Sequence, residues 1–271
     1  MFVHLFSRKD KGYWRVLSRD CKPSGFIKNL NTVINPKWGA FMAEKAPWKI
    51  IETLKLEICM KRATDSSLMV LAQTARRLKF LKGEYIFNDG DASEYFYLVE
   101  SGRVILSKDA PSGKAFTFLL ATRGLPLNAV TCLKPRPRFF SARAIEKTMV
   151  IAIPSPAFKQ WVLDNPDVAA CILDTMGNLL DGAYTRILDL IDESVEQRIL
   201  NALNMLFLRI GSDLPMTNND IADMTGTSRE TAARVISRLQ EAGLIRKSRG
   251  HIEILNGPQL DELSTCPFFI L

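Results

Sequence analysis

The side chains best suited to chemistry lie towards the end of the chain, where Arg229, Glu230 and Arg234 stand at helical spacing. An arginine can bind the O6 and N7 edge of guanine with two hydrogen bonds, and a glutamate can accept one from the N4 amine of cytosine. The first turns of a helix that enters the major groove are the ones that reach the base edges. The types and spacing of these residues therefore predict contacts with base pairs of duplex DNA.

A first short helix is predicted just before these residues. Thr217 and Asp220 have the spacing of a capping box, which satisfies backbone N–H groups where a helix begins. Ile221, four residues after Thr217, is apolar and is expected to face inward. Gly226 then permits the sharp turn that joins two helices of a helix-turn-helix.

A second helix, capped by Thr227 or Ser228, is predicted to carry the three base-reading candidates. It ends at Gly243, and two β-like runs around a basic turn follow it. This order of elements is that of a winged helix-turn-helix. The stripe of the second helix that is expected to be buried comprises Ala232, Val235, Ile236 and Leu239.

We expect DNA to be contacted by the caps, by the outer face of the second helix and by the wing, because helix N-termini and basic turns can also hold phosphates. The alternative for this segment is a solvated amphipathic helix pair without a ligand. The candidate DNA-binding residues are Thr217, Thr227, Ser228, Arg229, Glu230, Ala233, Arg234, Arg238 and Lys247.

The run Thr-Ser-Arg-Glu-Thr-Ala-Ala-Arg-Val at 227–235, with Glu-Ala-Gly-Leu-Ile after it, closely resembles the recognition helix of the CRP/FNR transcription regulators. The resemblance extends from about residue 48 to 260. It includes the stretch Leu-Lys-Gly-Glu-Tyr-Ile-Phe-Asn-Asp-Gly-Asp at 81–91 and the run Tyr-Leu-Val-Glu-Ser-Gly-Arg-Val at 97–104.

This resemblance implies a homodimer in which a jelly-roll sensor domain controls two DNA-binding domains, with RNA polymerase as an expected further partner. Arg229, Glu230 and Arg234 match the branch of the family that reads TGTGA-like half-sites. The branch that reads TTGAT would lack an arginine at 229.

The middle of the chain is predicted to be a small antiparallel barrel. Short runs rich in aromatic and β-branched residues alternate with turn signals, a pattern typical of a jelly roll. Before it, apolar residues from Trp48 to Leu78 stand at helical spacings and indicate one or two short helices. The predicted strands are 95–99, 104–106, 116–120 and 149–153.

A long helix between Pro166 and Asp192 is predicted from apolar residues at steps of three and four. Its narrow apolar stripe is typical of a helix that packs against a partner helix. The alternative is a helix that packs only on its own domain. The residues expected in a dimer interface are Ile172, Met176, Leu179, Ala183 and Ile187.

The effector is not identified by the sequence. Relatives that bind cyclic AMP carry a glutamate for the ribose and an Arg-Ser pair for the phosphate. Here the corresponding positions hold Ala129 and Phe140-Ser141, so a bound phosphate would lack its cation, unless a shift in register brought in Arg136, Arg138 or Arg143. The sequence thus argues against cyclic AMP. The residues expected to line an effector pocket are Phe118, Asn128, Ala129, Phe140 and Ser141.

Metal and haem cofactors also have little support. Five cysteines are widely scattered and only two histidines are present, so an iron–sulfur cluster and a histidine-bound haem are not predicted, although Cys132 remains open as a haem ligand. The dispersed, odd set of cysteines is typical of reduced thiols. No motif of an enzyme is recognised, neither a glycine-rich nucleotide loop nor a nucleophile motif.

The chain has 271 residues and a net charge of +7, with nine basic and three acidic side chains in residues 1–45. Without an apolar run long enough for a membrane span, a cytoplasmic location is expected.

The expected fold class is α+β. A rival function is a small-molecule or redox sensor that acts mainly through protein partners. The expected divisions are a basic extension (1–45), a jelly-roll sensor (46–155), a dimerisation helix (156–193), a winged helix-turn-helix (194–260) and a tail (261–271).

Overall fold

The computed structural model describes residues 47–110, 115–127, 130–134 and 136–265. The predicted basic extension at 1–45 lies outside these residues. Within the described part of the chain, no helix is long and apolar enough to cross a lipid bilayer.

Three short helical segments precede the barrel. Helix α1 (Pro47–Leu54) is followed by a 3-10 turn (Met60–Arg62) and by α2 (Asp65–Thr74), which Thr64 caps by accepting a hydrogen bond from the Ser67 N–H. Helix α2 ends because Ala75 is extended, with ψ 152°. Leu78, which the helical spacing had included, therefore lies in the first strand, and that part of the prediction is wrong.

The sensor domain is a jelly-roll-like barrel of two antiparallel sheets, as the sequence predicts. One sheet has the order β1-β7-β3 and the other β2-β6-β4-β5, which leaves β5 at an edge. Gly102 makes the turn between β3 and β4 at φ +87°, where a Cβ would lie 2.7 Å from the Lys147 carbonyl oxygen. The strands are β1 (Arg76–Phe80), β2 (Tyr85–Phe87), β3 (Tyr95–Ser101), β4 (Val104–Asp109), β5 (Ala115–Ala121), β6 (Ser141–Ala144) and β7 (Thr148–Pro154).

After a short helix, α3 (Val130–Leu133), and the last barrel strands, the chain continues in α4 (Ser155–Leu163) and α5 (Pro166–Asp192). The predicted dimerisation segment 156–193 is therefore two helices. They separate at Asn165, directly before a proline that cannot continue the hydrogen-bond ladder. Helix α5 has 27 residues and is about 40 Å long.

The last domain has the predicted order of a winged helix-turn-helix. Its tail boundary needs correction, because the final helix extends to Leu263 and Asn204 donates to Asp261 and Ser264, both at 2.7 Å. Residues 261–265 thus belong to the domain. Its elements are α6 (Val195–Ile210), β8 (Asp213–Leu214), α7 (Asn218–Thr225), α8 (Arg229–Glu241), β9 (Ile245–Ser248), β10 (His251–Ile254) and α9 (Gly257–Leu263), with the sheet order β8-β10-β9.

Candidate nucleic-acid interface

Helix α7 begins with the predicted capping box. The Thr217 hydroxyl accepts from the Asp220 N–H at 3.2 Å, and the Thr217 N–H donates to the Asp220 carboxylate at 2.8 Å. Gly226 ends the helix in the left-handed conformation at φ +66°, which a residue with a side chain rarely adopts. The capping box therefore begins α7, and Gly226 makes the turn that sets the direction of the next helix.

Helix α8 is the predicted recognition helix. Ser228 is its cap and accepts from the Thr231 N–H at 3.1 Å, so the choice left open between Thr227 and Ser228 is resolved in favour of Ser228. As predicted, the stripe that packs into the domain is Ala232, Val235, Ile236 and Leu239. The opposite side of the helix presents its side chains to solvent.

The three base-reading candidates are all exposed on the first two turns of α8. Arg234 donates to the Thr231 hydroxyl at 3.2 Å, which orients its guanidinium along the helix. Hydrogen bonds from its own backbone N–H and from the Ser228 hydroxyl lower the pKa of Glu230, so this fully exposed side chain is an ionised acceptor at neutral pH. One acceptor thus stands between two guanidinium donors.

Two further candidates on α8 differ from these three. Ala233 is half-buried and presents only a methyl group. Arg238 lies two turns further from the N-terminus than Glu230, and its guanidinium forms a 2.9 Å ion pair with Glu196 of α6. This pair gives Arg238 a structural contact within the domain in addition to any contact with phosphate.

The predicted wing is the hairpin β9–β10. Its position against α8 is set by a hydrogen bond from the Lys247 N–H to the Gln240 side chain at 2.9 Å. Arg246 pairs with Glu253 across the hairpin at 3.0 Å, whereas Lys247 and Arg249 are exposed at the tip. The wing therefore extends the basic surface beyond the recognition helix.

Helix α5 presents one face to its own chain and an apolar face to solvent. Its buried positions share one side of the helix, and Arg186 and Asp189 are among them. About 180° around the helix from these positions lies a stripe of large exposed side chains. That stripe, which we call the α5 outer face, consists of Leu173 (69% exposed), Leu180 (52%), Tyr184 (56%), Leu188 (58%) and Ile191 (72%).

The predicted interface residues are rotated from this face by roughly 80°. Ile172 is half-buried and packs against the core of its own chain, and its place in a dimer interface stays a prediction. Met176 and Leu179 are half-buried, and Ala183 is exposed. Ile187, which is 54% exposed, borders the outer face. The interface predicted from apolar periodicity did not include the five residues of the outer face. Their own spacing of three, four and seven residues also indicates one face of a helix.

Three of the five residues predicted to line an effector pocket lie within the described part of the chain. Phe118 and Phe140 stack at 4.6 Å and are half-buried, and the Ser141 hydroxyl accepts from the Asp89 N–H at 2.9 Å. Asn128 and Ala129 lie outside the described residues.

A buried guanidinium, which the sequence offered only through a shift in register, lies in the barrel instead. Arg138 is 1% exposed and its guanidinium lies 4.3 Å from the centre of the Phe87 ring. It donates to the Tyr95 carbonyl and, at 3.1 Å, to the Thr131 hydroxyl. The neighbouring Tyr97 is 5% exposed, and burial raises the pKa of its hydroxyl.

The cysteines within the described residues, Cys59, Cys132 and Cys171, are buried thiols without a disulfide. Cys59 and Cys171 are neighbours, and burial, followed by their mutual hydrogen bond, raises the pKa of Cys59 to about 12. Among the described residues, no group of three or more potential metal ligands is found.

Comparisons with known proteins match both halves of the described chain. Residues 197–263 match the family of Crp-like helix-turn-helix domains, and residues 77–165 match the cyclic nucleotide-binding domain family. The Cyclic AMP receptor protein of Thermus thermophilus is 29% identical over 197 residues, covering 72% of this chain and 91% of the relative. The Fumarate and nitrate reduction regulatory protein of Vibrio cholerae is 28% identical over 211 residues, covering 74% and 83%. The structure of FixK2 from Bradyrhizobium japonicum has a TM-score of 0.62 at 23% identity over 71% of this chain and 98% of that one, which shows a shared fold.

Proposed function

We propose that this chain, which belongs to the CRP/FNR superfamily of DNA-binding transcription regulators, acts as a homodimer on palindromic sites with TGTGA-like half-sites. The observation that carries the proposal is the exposed Arg229–Glu230–Arg234 constellation at the start of α8. An arginine that binds guanine and a glutamate that accepts from cytosine suit the G·C pairs within such a half-site. The lowered pKa of Glu230 supports its role as an acceptor.

The proposed homodimer is formed by the α5 outer faces of two chains. Five large apolar side chains along one stripe would otherwise face water, and a continuous exposed apolar surface of this kind marks an interaction site. Two such helices can pack along their length as a coiled coil. A two-fold axis between them then makes the paired recognition helices symmetric, which matches a palindromic site.

The regulatory role rests on the family. The relatives are transcription regulators, so an enzymatic activity is not part of the proposal. We expect RNA polymerase to be a further partner and the cytoplasm to be the place of action. An effector that acts through the barrel is part of the proposal, and its identity is open.

Selection of binding sites from random duplexes tests the proposed DNA recognition. The expected result is a two-fold symmetric motif with a TGTGA-like sequence in each half, because two copies of the same helix would read it. A selected motif without symmetry would contradict the dimeric arrangement. Failure to enrich any sequence would instead favour a sensor that acts through protein partners.

We predict that cyclic AMP does not bind at physiological concentrations, although the relative from Thermus thermophilus is named for this ligand. Phe140 offers no cation to a phosphate, and the Arg138 guanidinium already donates to Tyr95 and Thr131. Isothermal titration calorimetry of the full chain should show no binding with a dissociation constant in the micromolar range. Micromolar binding that Arg138→Ala abolishes would contradict the prediction and assign the phosphate to Arg138.

A further inference from the structure

Helix α7, the first helix of the helix-turn-helix, packs against the edge strand β5 of the sensor barrel. An exposed strand edge must be covered or otherwise protected, and α7 and its neighbours cover this one. Helix α7 also lies beside α5, where a Cβ on Gly226 would come within 3.0 Å of Leu190. The sensor and the DNA-binding domain therefore meet at this helix.

The N-terminal end of α7 is held by a barrel arginine. Arg143 of β6 lies 3.6 Å from Asp220, whose side chain is only 15% exposed. The other oxygen of the same carboxylate closes the capping box with Thr217. A single carboxylate thus both begins α7 and joins it to the sensor.

The C-terminal end of α7 is held by guanidinium groups from the two long helices. Arg186 of α5 donates to the Met224 carbonyl, and its guanidinium lies 4.7 Å from the centre of the Phe116 ring on β5. Arg198 of α6 donates to the Thr225 carbonyl at 3.0 Å. Cations suit this end of a helix, because the backbone carbonyls there carry partial negative charge.

The contact of α7 with the barrel depends on the positive charge of Arg143, because the neighbouring side chains are acidic. Asp223 faces Asp220 of its own helix, Asp109 of β4 and Arg143 of β6, and burial together with the two carboxylates raises its pKa to about 6. Asp220 and Asp223 thus both face the Arg143 guanidinium, and Asp109 lies near Asp223. Reversing the charge at 143 would leave only repulsion at this place.

The contact leaves the DNA-reading face open. Arg229, Glu230, Arg234 and Lys247 are exposed, and none of them takes part in the contact with the barrel. A contact that inhibited DNA binding would be expected to cover these side chains. The observed arrangement instead orients the recognition helix while it remains accessible.

We infer that Arg143, Phe116 and Arg186 are positioning residues for DNA binding, which hold α7 on the sensor and so fix the direction of α8 relative to α5. The inference rests on the proposed homodimer. The centres of two half-sites must be one helical turn, about 34 Å, apart or a multiple of that distance. A fixed direction of α8 therefore selects one spacer length between the half-sites, and a freely moving domain loses that selection.

Arg143→Glu tests this inference in the full chain, with Arg103→Glu as the matched control. Arg103 is also a half-exposed barrel arginine, and its pair with Glu146 at 3.7 Å is on a part of the barrel away from α7. Affinities are measured by fluorescence anisotropy on the selected palindrome and on duplexes with one base pair added to or removed from the spacer. Sedimentation and thermal melting check that each variant is folded and dimeric.

Arg143→Glu should weaken binding to the parental palindrome about tenfold, since only a fraction of the freely moving domains is correctly oriented. Its discrimination between spacers should shrink, while its base preference within each half-site stays the same. Arg103→Glu and Arg143→Lys should behave like the parental chain. A variant that is only less stable would bind all spacer lengths more weakly and keep the same preference among them. The spacer preference therefore distinguishes a positioning role from a loss of stability.

Unchanged affinity and spacer discrimination in Arg143→Glu would overturn the inference, and so would tighter binding, because the contact would then oppose DNA binding. If Arg143→Glu does not fold, Phe116→Ala removes the contact with Arg186 without a change in charge and should also relax the spacer preference. Absence of palindrome binding by the parental chain would refute the proposed function instead.

Discussion

Replacement of Leu180 by glutamate should convert the protein from a dimer to a monomer. Leu180 lies in the middle of the α5 outer face and is 52% exposed in the single chain. Across a two-fold axis, two glutamates would lie close together in an apolar surface, where ionised carboxylates are costly to bury. We expect the dimer dissociation constant to rise on the order of 100-fold or more, as measured by sedimentation equilibrium. Binding to a palindrome should be lost in parallel.

Two neighbours of Leu180 serve as controls. Asn178 is exposed on the polar side of α5, and Asn178→Glu should leave the dimer intact. Leu179 is half-buried and lies about 100° from Leu180 around the helix, so Leu179→Glu distinguishes the interface predicted from the sequence from the one proposed on the α5 outer face. An intact dimer in Leu180→Glu together with a monomer in Leu179→Glu would show that the outer face has been assigned incorrectly.

The winged helix-turn-helix could be predicted closely because its signals are local. The Thr217 capping box, the left-handed Gly226 and the Ser228 cap each act within four residues, and each is found where the sequence places it. The buried stripe of α8 also follows directly from helical spacing. The contact of α7 with the barrel could not be predicted, since Arg143 and Asp220 are 77 positions apart and neither belongs to a recognisable motif.

The outer face of α5 was not predicted, because apolar spacing does not reveal which neighbour an apolar residue meets. Ile172 contributes to the seam seen in the sequence, but it packs on the core of its own chain. The buried face of α5 contains Gly182, Arg186 and Asp189, whose types suggest solvent or a turn. These residues are buried because the barrel, α6 and α7 pack against this side of α5.

The barrel was recognised from its longer strands, whereas β1, β2 and β6 were missed. Strand β2 has three residues and β6 has four, too few for an alternating pattern to be distinctive. The place of Arg138 depends on these short strands and on the turns between them. The burial of that guanidinium in the barrel is therefore a result of tertiary structure.

Arg229→Ala should weaken binding to the selected site by about 1–3 kcal/mol and relax the preference at one base pair in each half-site. Arg229 is the first residue of α8 and is exposed, so its guanidinium is free to form two hydrogen bonds with a guanine edge. Removing it leaves the buried stripe of α8 untouched, and the domain should fold as before. Repeating the selection from random duplexes with this variant gives the base preference directly.

Lys247→Ala provides the contrast that makes the test of Arg229 decisive. The Lys247 ammonium is exposed on the wing, while the hydrogen bond that fixes the wing to Gln240 uses the backbone and survives the substitution. A lost phosphate contact should weaken all sequences alike and lower the salt slope of binding by about one. The two variants should therefore differ in kind: Arg229→Ala changes the selected motif, and Lys247→Ala changes only the affinity. An unchanged motif in Arg229→Ala would mean that Arg229 holds the phosphate backbone and that another residue of α8 reads the guanine.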